Sequence, residues 1–247
     1  LSRMKTLHLW WLIIVLVAPQ LAQANTSGQS IAKGQAAFSW HLLVQTDAIE
    51  KPASPLHSAQ SVNSLGEGAS KEVRDTINWI IDSADNLGMP FMIIDKREAK
   101  VFMFDAQGQL RGEASALLGM AVGDDSVPGI GERALASIPP DERTTPAGRF
   151  VSSLGRNLKG GEILWLDYED ALSLHPVVAG TPRERREERL ASPHAKDKRI
   201  SYGCINVPKT FYTTLVSPAF KHSNGVVYVL PETRSNHAVF ASYYDVK

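Results

Sequence analysis

The sequence predicts a mainly β fold with few helices, on three observations: short β-patterned segments recur from Pro90 onward, turn-forming clusters separate them, and one strong helical period precedes them. Phe91-Met92-Ile93-Ile94, Val101-Phe102-Met103-Phe104 and residues 110–120 are divided by Asp95-Lys96-Arg97-Glu98 and Asp105-Ala106-Gln107-Gly108, which read as hairpin turns. Residues 162–167, 172–178 and 226–230 supply further strands, and a mostly antiparallel sheet is expected. The Gly/Pro-rich runs 124–131 and 138–148 read as long surface loops, where functional groups are often carried.

The helical period lies just before the strands. Ser70 is placed to cap a helix over residues 71–87, because Val73, Ile77, Ile80, Ile81, Ala84 and Leu87 share one face and Gly88 is a suitable stop. A second, shorter helix is expected over 208–216, opened by Pro208. Residues 25–70 are rich in Ser, Gln, Ala and Gly and read as a linker. Phe38-Ser39-Trp40-His41-Leu42-Leu43-Val44 interrupts it as a short strand or a docking patch.

At the start of the chain, Arg3 and Lys5 precede an apolar run from Leu7 to Ala18, followed by Ala22-Gln23-Ala24. That is the pattern of a cleaved secretory signal, and the run is shorter than the roughly 20 apolar residues of a membrane span. An exported protein of the periplasm or cell wall is therefore expected, with no stable membrane span after cleavage. The organisation predicted is a signal peptide at 1–24, a linker and amphipathic helix at 25–88, a main domain at 89–231 and a C-terminal tail at 232–247. Lys plus Arg and Asp plus Glu number 26 each in the 247 residues, which argues against a nucleic-acid partner. The seven histidines are scattered without metal-ligand spacing, so neither a metal nor another cofactor is expected.

Cys204 is the single cysteine. In an exported chain a lone thiol is an inert core residue, an intermolecular link or a nucleophile. Gly203 favours the last by letting the backbone turn tightly beside the sulfur, with Pro208 opening a helix just beyond. A nucleophilic thiol needs a partner, since an isolated one has a pKa near 8.5. His175 is the best candidate because it ends the apolar run Ala171-Leu172-Ser173-Leu174; His194, His222 and His237 are the alternatives.

Thr145-Pro146-Ala147-Gly148-Arg149-Phe150, then His175, then Arg199-Ile200-Ser201-Tyr202-Gly203-Cys204-Ile205-Asn206 resemble, in order, the TPxGxF loop, strand-borne His and [S/T]HGCxN segment of the L,D-transpeptidase catalytic domain of the YkuD type. The resemblance covers about residues 90–231 and implies a β-sandwich catalytic domain. It implies a cysteine-dependent acyltransferase of peptidoglycan biosynthesis, cell-wall biogenesis and cell shape, whose partners are peptidoglycan stem peptides. Cys204 would be the nucleophile and His175 the general base and acid. Gly203, with the Cys204 N–H, would help form the oxyanion site, Ser201 would support the loop or the imidazole, and Asn206 would hold the turn. A hydrolase using the same acyl-enzyme, or a wall-binding module that has lost catalysis, are the alternatives.

The chain departs from the family pattern in two places. Tyr202 stands where the motif has His, keeping an aromatic body and a polar tip at the site. And 28 residues lie between His175 and Cys204, so residues 181–198 read as an insertion. Its mixed charges suggest a solvated helix, or else a flap whose arginines grip substrate carboxylates, with Arg199 best placed to do so.

Overall fold

The computed structural model describes Leu65 and residues 68–247. The expected signal peptide, most of the linker and the run 38–44 lie outside the described residues. The chain there is mainly β. Helix α1 (Lys71–Ser83) begins where expected, with the Ser70 hydroxyl accepting from the Val73 N–H at 3.2 Å. It stops four residues earlier than its period suggests, because Ala84 adopts a left-handed conformation and its N–H turns back to the Ile80 carbonyl. Asp85 is then held elsewhere, accepting from Arg149 Nε at 2.5 Å and Tyr228 Oη at 2.6 Å.

The strands are β1 (Phe91–Asp95), β2 (Lys100–Phe104), β3 (Leu110–Ser115), β4 (Leu118–Gly119), β5 (Gly148–Arg156), β6 (Glu162–Asp167), β7 (Leu172–Pro176), β8 (Arg199–Ser201), β9 (Ile205–Val207) and β10 (Gly225–Val229). Eight form one sheet in the order β3-β2-β1-β10-β5-β6-β7-β9, while β4 and β8 pair separately. Most neighbours in the large sheet are antiparallel, but β1 with β10 and β7 with β9 run parallel. The run 110–120 is two strands rather than one. Between them Leu117 leaves the β2 ladder and exchanges backbone hydrogen bonds with Asn206.

Strand β5 makes the architecture a sandwich. Its first half, Gly148 to Ser152, pairs with β10, and its second half, Ser153 to Arg156, pairs with β6. One core cluster accordingly joins Met92, Ile94, Met103 and Val227 from one half-sheet to Leu164, Leu172, Leu174 and Ile205 from the other, with Phe211, Val216 and Phe220. Those three lie on a helical run at 209–220, longer than expected, that continues through a π turn at Tyr212–Val216. A second cluster lies on the opposite face of β1, β2 and β10. There Phe91, Ile93, Phe102 and Tyr228 meet Val73, Ile77, Trp79 and Ile80 of α1. These strands are apolar on nearly every residue because both their faces are covered. Phe240, from the C-terminal stretch, stacks on Trp79 with centroids 5.8 Å apart.

Candidate active site

Side chains alternate along β7, so Leu172 and Leu174 enter the core while Ser173 and His175 share the other face. Strand β9 lies parallel to β7, with His175 opposite Asn206 in register. The turn between β8 and β9 therefore delivers Cys204 onto the Ser173–His175 face. Ser173 Oγ is 3.5 Å from Cys204 Sγ, and the thiol reaches the Ala171 carbonyl at 3.6 Å. Sequence reasoning misses Ser173, although its period-2 relation to His175 marks it.

His175 Nδ1 donates to the Pro176 carbonyl at 2.8 Å, which leaves Nε2 as the basic nitrogen, with Asn206 Nδ2 3.2 Å away. Burial opposes the imidazolium, yet the hydrogen bond and charge of Cys204, with the Pro176 carbonyl, outweigh it and hold His175 above the usual histidine range. Burial likewise opposes the thiolate. The hydrogen bond and charge of His175, followed by the hydrogen bonds of Ser173, outweigh it and hold Cys204 below the ordinary thiol range. The two groups therefore lie close enough for each to favour the charged form of the other. His194, His222 and His237 take no part in it: none of them hydrogen-bonds His175 or Cys204.

The turn itself is tightly built. Gly203 has φ +131°, and a Cβ there would lie 2.8 Å from the Thr144 carbonyl oxygen. Ser201 Oγ donates to the Cys204 carbonyl at 2.6 Å and accepts from the Gly203 N–H at 3.1 Å, so Ser201 supports the loop and not the imidazole. The Gly203 N–H is thereby engaged within the turn. The Cys204 N–H makes no hydrogen bond among the described residues. From the TPxGxF-like loop, Thr145 Oγ1 donates to the Gly203 carbonyl at 2.7 Å and accepts from the Gly119 N–H.

Behind that loop stands a buried ion cluster that the sequence conceals inside a hairpin turn. Lys96 is fully buried, and Nζ donates to the Gly123 carbonyl at 2.5 Å, Asp124 Oδ1 at 2.8 Å and the Thr145 carbonyl at 2.9 Å. Burial would raise Asp124, but Lys96, the Thr233 hydroxyl and the backbone amides of Glu232 and Thr233 hold its carboxyl well below the usual carboxylate range. Arg199 belongs to this cluster too. Its guanidinium forms an ion pair with Glu232 and donates to the Lys96 carbonyl at 2.8 Å, so it is not presented to the cleft and the expected grip on substrate carboxylates is corrected.

Tyr202 lines the cleft with its ring under the Arg143 guanidinium, 3.9 Å from the centroid. The cleft is a cavity of about 320 Å³ walled by Ile130, Leu135, Ile138, Pro146 and Leu172, and Cys204 opens onto it. The two expected surface loops form its outer wall. The insertion is not a single solvated helix: α2 (Arg186–Ala191) is flanked by 3-10 turns at Pro182–Glu184 and Ala195–Lys198. Arg186 points inward from α2 and donates to Asn206 Oδ1 at 2.8 Å. No group of His, Cys, Asp and Glu side chains among the described residues could hold a metal ion, and no helix among them is long and apolar enough to cross a membrane.

No family model matches the chain, and no curated protein matches it. Among solved structures, the chain is similar to an L,D-transpeptidase from Xylanimonas cellulosilytica at 13% identity and a TM-score of 0.34, with 57% of this chain and 60% of that chain covered. It is similar to a variant of the helical cell shape determining protein Pgp2 from Campylobacter jejuni at 12% identity and a TM-score of 0.38, over 60% of this chain and 48% of that one. The catalytic domain of an L,D-transpeptidase from E. faecium is similar at 16% identity and a TM-score of 0.28, over 57% of this chain and 96% of that domain. The chain spans less than two thirds of the length of the first two of these structures.

Proposed function

We propose that this protein is a cysteine-dependent acyltransferase of the L,D-transpeptidase type, exported to act on peptidoglycan stem peptides. The observation that carries the reading is that the β8–β9 turn brings Cys204, in the wall of an apolar cleft, onto the face of β7 that bears His175, although 28 residues separate them in the chain. A thiol whose proton affinity is lowered by a neighbouring imidazole, itself fixed at Nδ1 by a carbonyl, is the arrangement nucleophilic catalysis requires. The order of the TPxGxF-like loop, His175 and the Ser201-to-Asn206 segment supports the choice of family.

Nε2 takes the Sγ proton, and the thiolate attacks the carbonyl of the amide bond that precedes the terminal residue of a tetrapeptide stem. The Cys204 N–H faces the oxyanion. Collapse of the tetrahedral intermediate breaks the C–N bond, and the imidazolium gives its proton to the departing amine, leaving a thioester on Cys204. An amine from a second stem then attacks the thioester; it loses a proton to Nε2 and the thiol is restored. Water in place of that amine would make the protein a hydrolase.

The test is incubation of the purified protein with tetrapeptide muropeptides, read by intact mass and by chromatography of products. An adduct on the wild-type protein that is absent from Cys204→Ala, together with cross-linked dimers, is expected. Shortened monomers would assign hydrolysis. No adduct and no product would sink the enzymatic reading in favour of a binding module.

A further inference from the structure

No residue of the insertion lines the cleft, yet the insertion does not lie wholly in solvent, since one of its arginines turns toward Asn206. The Arg186 side chain is only 11% exposed, forms an ion pair with Glu184 and donates from its guanidinium to Asn206 Oδ1 at 2.8 Å. Asn206 is itself 1% exposed, and both its backbone N–H and its carbonyl are engaged by Leu117. Its remaining side-chain atom, Nδ2, lies 3.2 Å from His175 Nε2 and 3.5 Å from the Cys204 carbonyl.

A carboxamide has one accepting end and one donating end. Because a guanidinium can only donate, Arg186 claims the oxygen, and the NH2 group is left to face the imidazole. An NH2 group suits a bare Nε2 and disfavours a protonated one. We propose that Arg186, acting through the Asn206 carboxamide, is a positioning residue that reinforces the Nδ1–H tautomer favoured by the Pro176 carbonyl, with Nε2 unprotonated and accepting from Asn206 Nδ2. The proposal rests on the reading of His175 as the base. It gives the insertion a mechanistic role, because a proton taken from Sγ meets an unfavourable neighbour on Nε2 and is passed on readily to the departing amine.

The charged and titratable groups facing the imidazole are Cys204 from the β8–β9 turn and Arg186 from α2, with Glu184 paired to Arg186 behind it. Cys204 favours the imidazolium and Arg186 opposes it, so the arginine acts in the same direction by charge as by orienting the amide. Without Arg186 the carboxamide is free to rotate, and Oδ1 would then accept from a protonated Nε2.

The experiment is a pH titration of the ring nitrogens in 15N-histidine-labelled protein, with the His175 signals identified by their loss in His175→Gln. The wild-type protein is expected to carry its neutral-state proton on Nδ1. Arg186→Ala should increase the Nε2–H form and raise the midpoint by roughly half to one pH unit, the size of one screened charge at close range. Arg186→Gln keeps a donor to Oδ1 without the charge, and should retain the tautomer while the midpoint rises by a smaller amount. An unchanged tautomer and midpoint in folded Arg186→Ala would overturn the proposal. Should that variant not fold, an unchanged midpoint in Arg186→Gln would overturn it instead. No substrate enters the measurement, so its failure is distinguishable from a failure to form the acyl-enzyme.

Discussion

His175 and Asn206 face one another across the parallel pairing of β7 and β9, with Nε2 and Nδ2 3.2 Å apart. The same pairing carries the turn that presents Cys204, so the position of the thiol relative to its base is set by strand register. A one-residue slip of β9 would send Asn206 to the other face of the sheet and draw Cys204 away from the imidazole.

The coupling between the two groups has a signed pH consequence. His175 holds the Cys204 thiol below its ordinary range against the effect of burial. Removing the imidazole leaves burial in control, and the thiol should move upward. His175→Ala is therefore expected to shift the pH profile of Cys204 alkylation to higher pH, with slower labelling at neutral pH. A profile that does not move would remove His175 as the partner.

Tyr202 contributes a ring face to Arg143, and phenylalanine keeps that face. Tyr202→Phe removes a hydroxyl that makes no hydrogen bond among the described residues, so it should raise the acylation barrier by less than about 1.4 kcal/mol, under roughly tenfold in rate. Loss of a proton-transferring group typically removes a factor of about 10²–10⁴, the effect expected of His175→Ala. Acylation rates on a tetrapeptide substrate decide the matter, and the reverse ranking would transfer the proton work to the tyrosine.

Gly203 is held at φ +131° against the Thr144 carbonyl. Alanine there meets both a disfavoured backbone conformation and a backbone atom that cannot step aside, so Gly203→Ala should destabilise by about 1–3 kcal/mol. Because the displacement falls next to Cys204, the acylation rate should drop further than the loss of stability explains. Denaturation and single-turnover acylation, measured together, check this; a variant with normal acylation would show that the turn tolerates a Cβ.

The Lys96–Asp124 pair should be visible in stability. Lys96→Met leaves the buried Asp124 carboxylate without the ammonium 2.8 Å from it, while Glu232 keeps its ion pair with Arg199, at a cost of about 3–5 kcal/mol. Asp124 is held below its unfolded value of about 3.9, so its contribution is present above that pH and is lost as pH falls below it. Wild-type stability should decline on acidification through this range, and the Lys96→Met variant should decline less, because burial then raises Asp124 toward its unfolded value. Urea denaturation across a pH series measures both slopes, and equal slopes would separate Asp124 from Lys96.

Much of the fold is legible locally. Helix α1 with its Ser70 cap, and strands β1, β2, β6, β7 and β10, lie within a residue or two of their expected starts, because apolar period and capping chemistry are properties of neighbouring residues. Strand β5 is not legible. Gly148 to Arg156 holds two glycines and two arginines and is only partly buried along most of its length, so no alternation marks it, and its strand state comes from β10 on one side and β6 on the other. The three-residue strands β8 and β9 are too short to carry a period at all.

The site divides in the same way. The sequence by itself determined the lone thiol beside a glycine, and it placed His175 at the end of an apolar strand. Only the tertiary structure decided that Arg199 turns to Glu232, that Lys96 is buried beside Asp124 and Thr145, and that Arg186 reaches Asn206. Sequence spacing reports which face of an element is covered, since that depends on residues two to four apart. The partner of a charged side chain depends on which distant segments the sheet order brings alongside it, and in this fold that order is set by β5 and by the parallel pairing of β7 with β9.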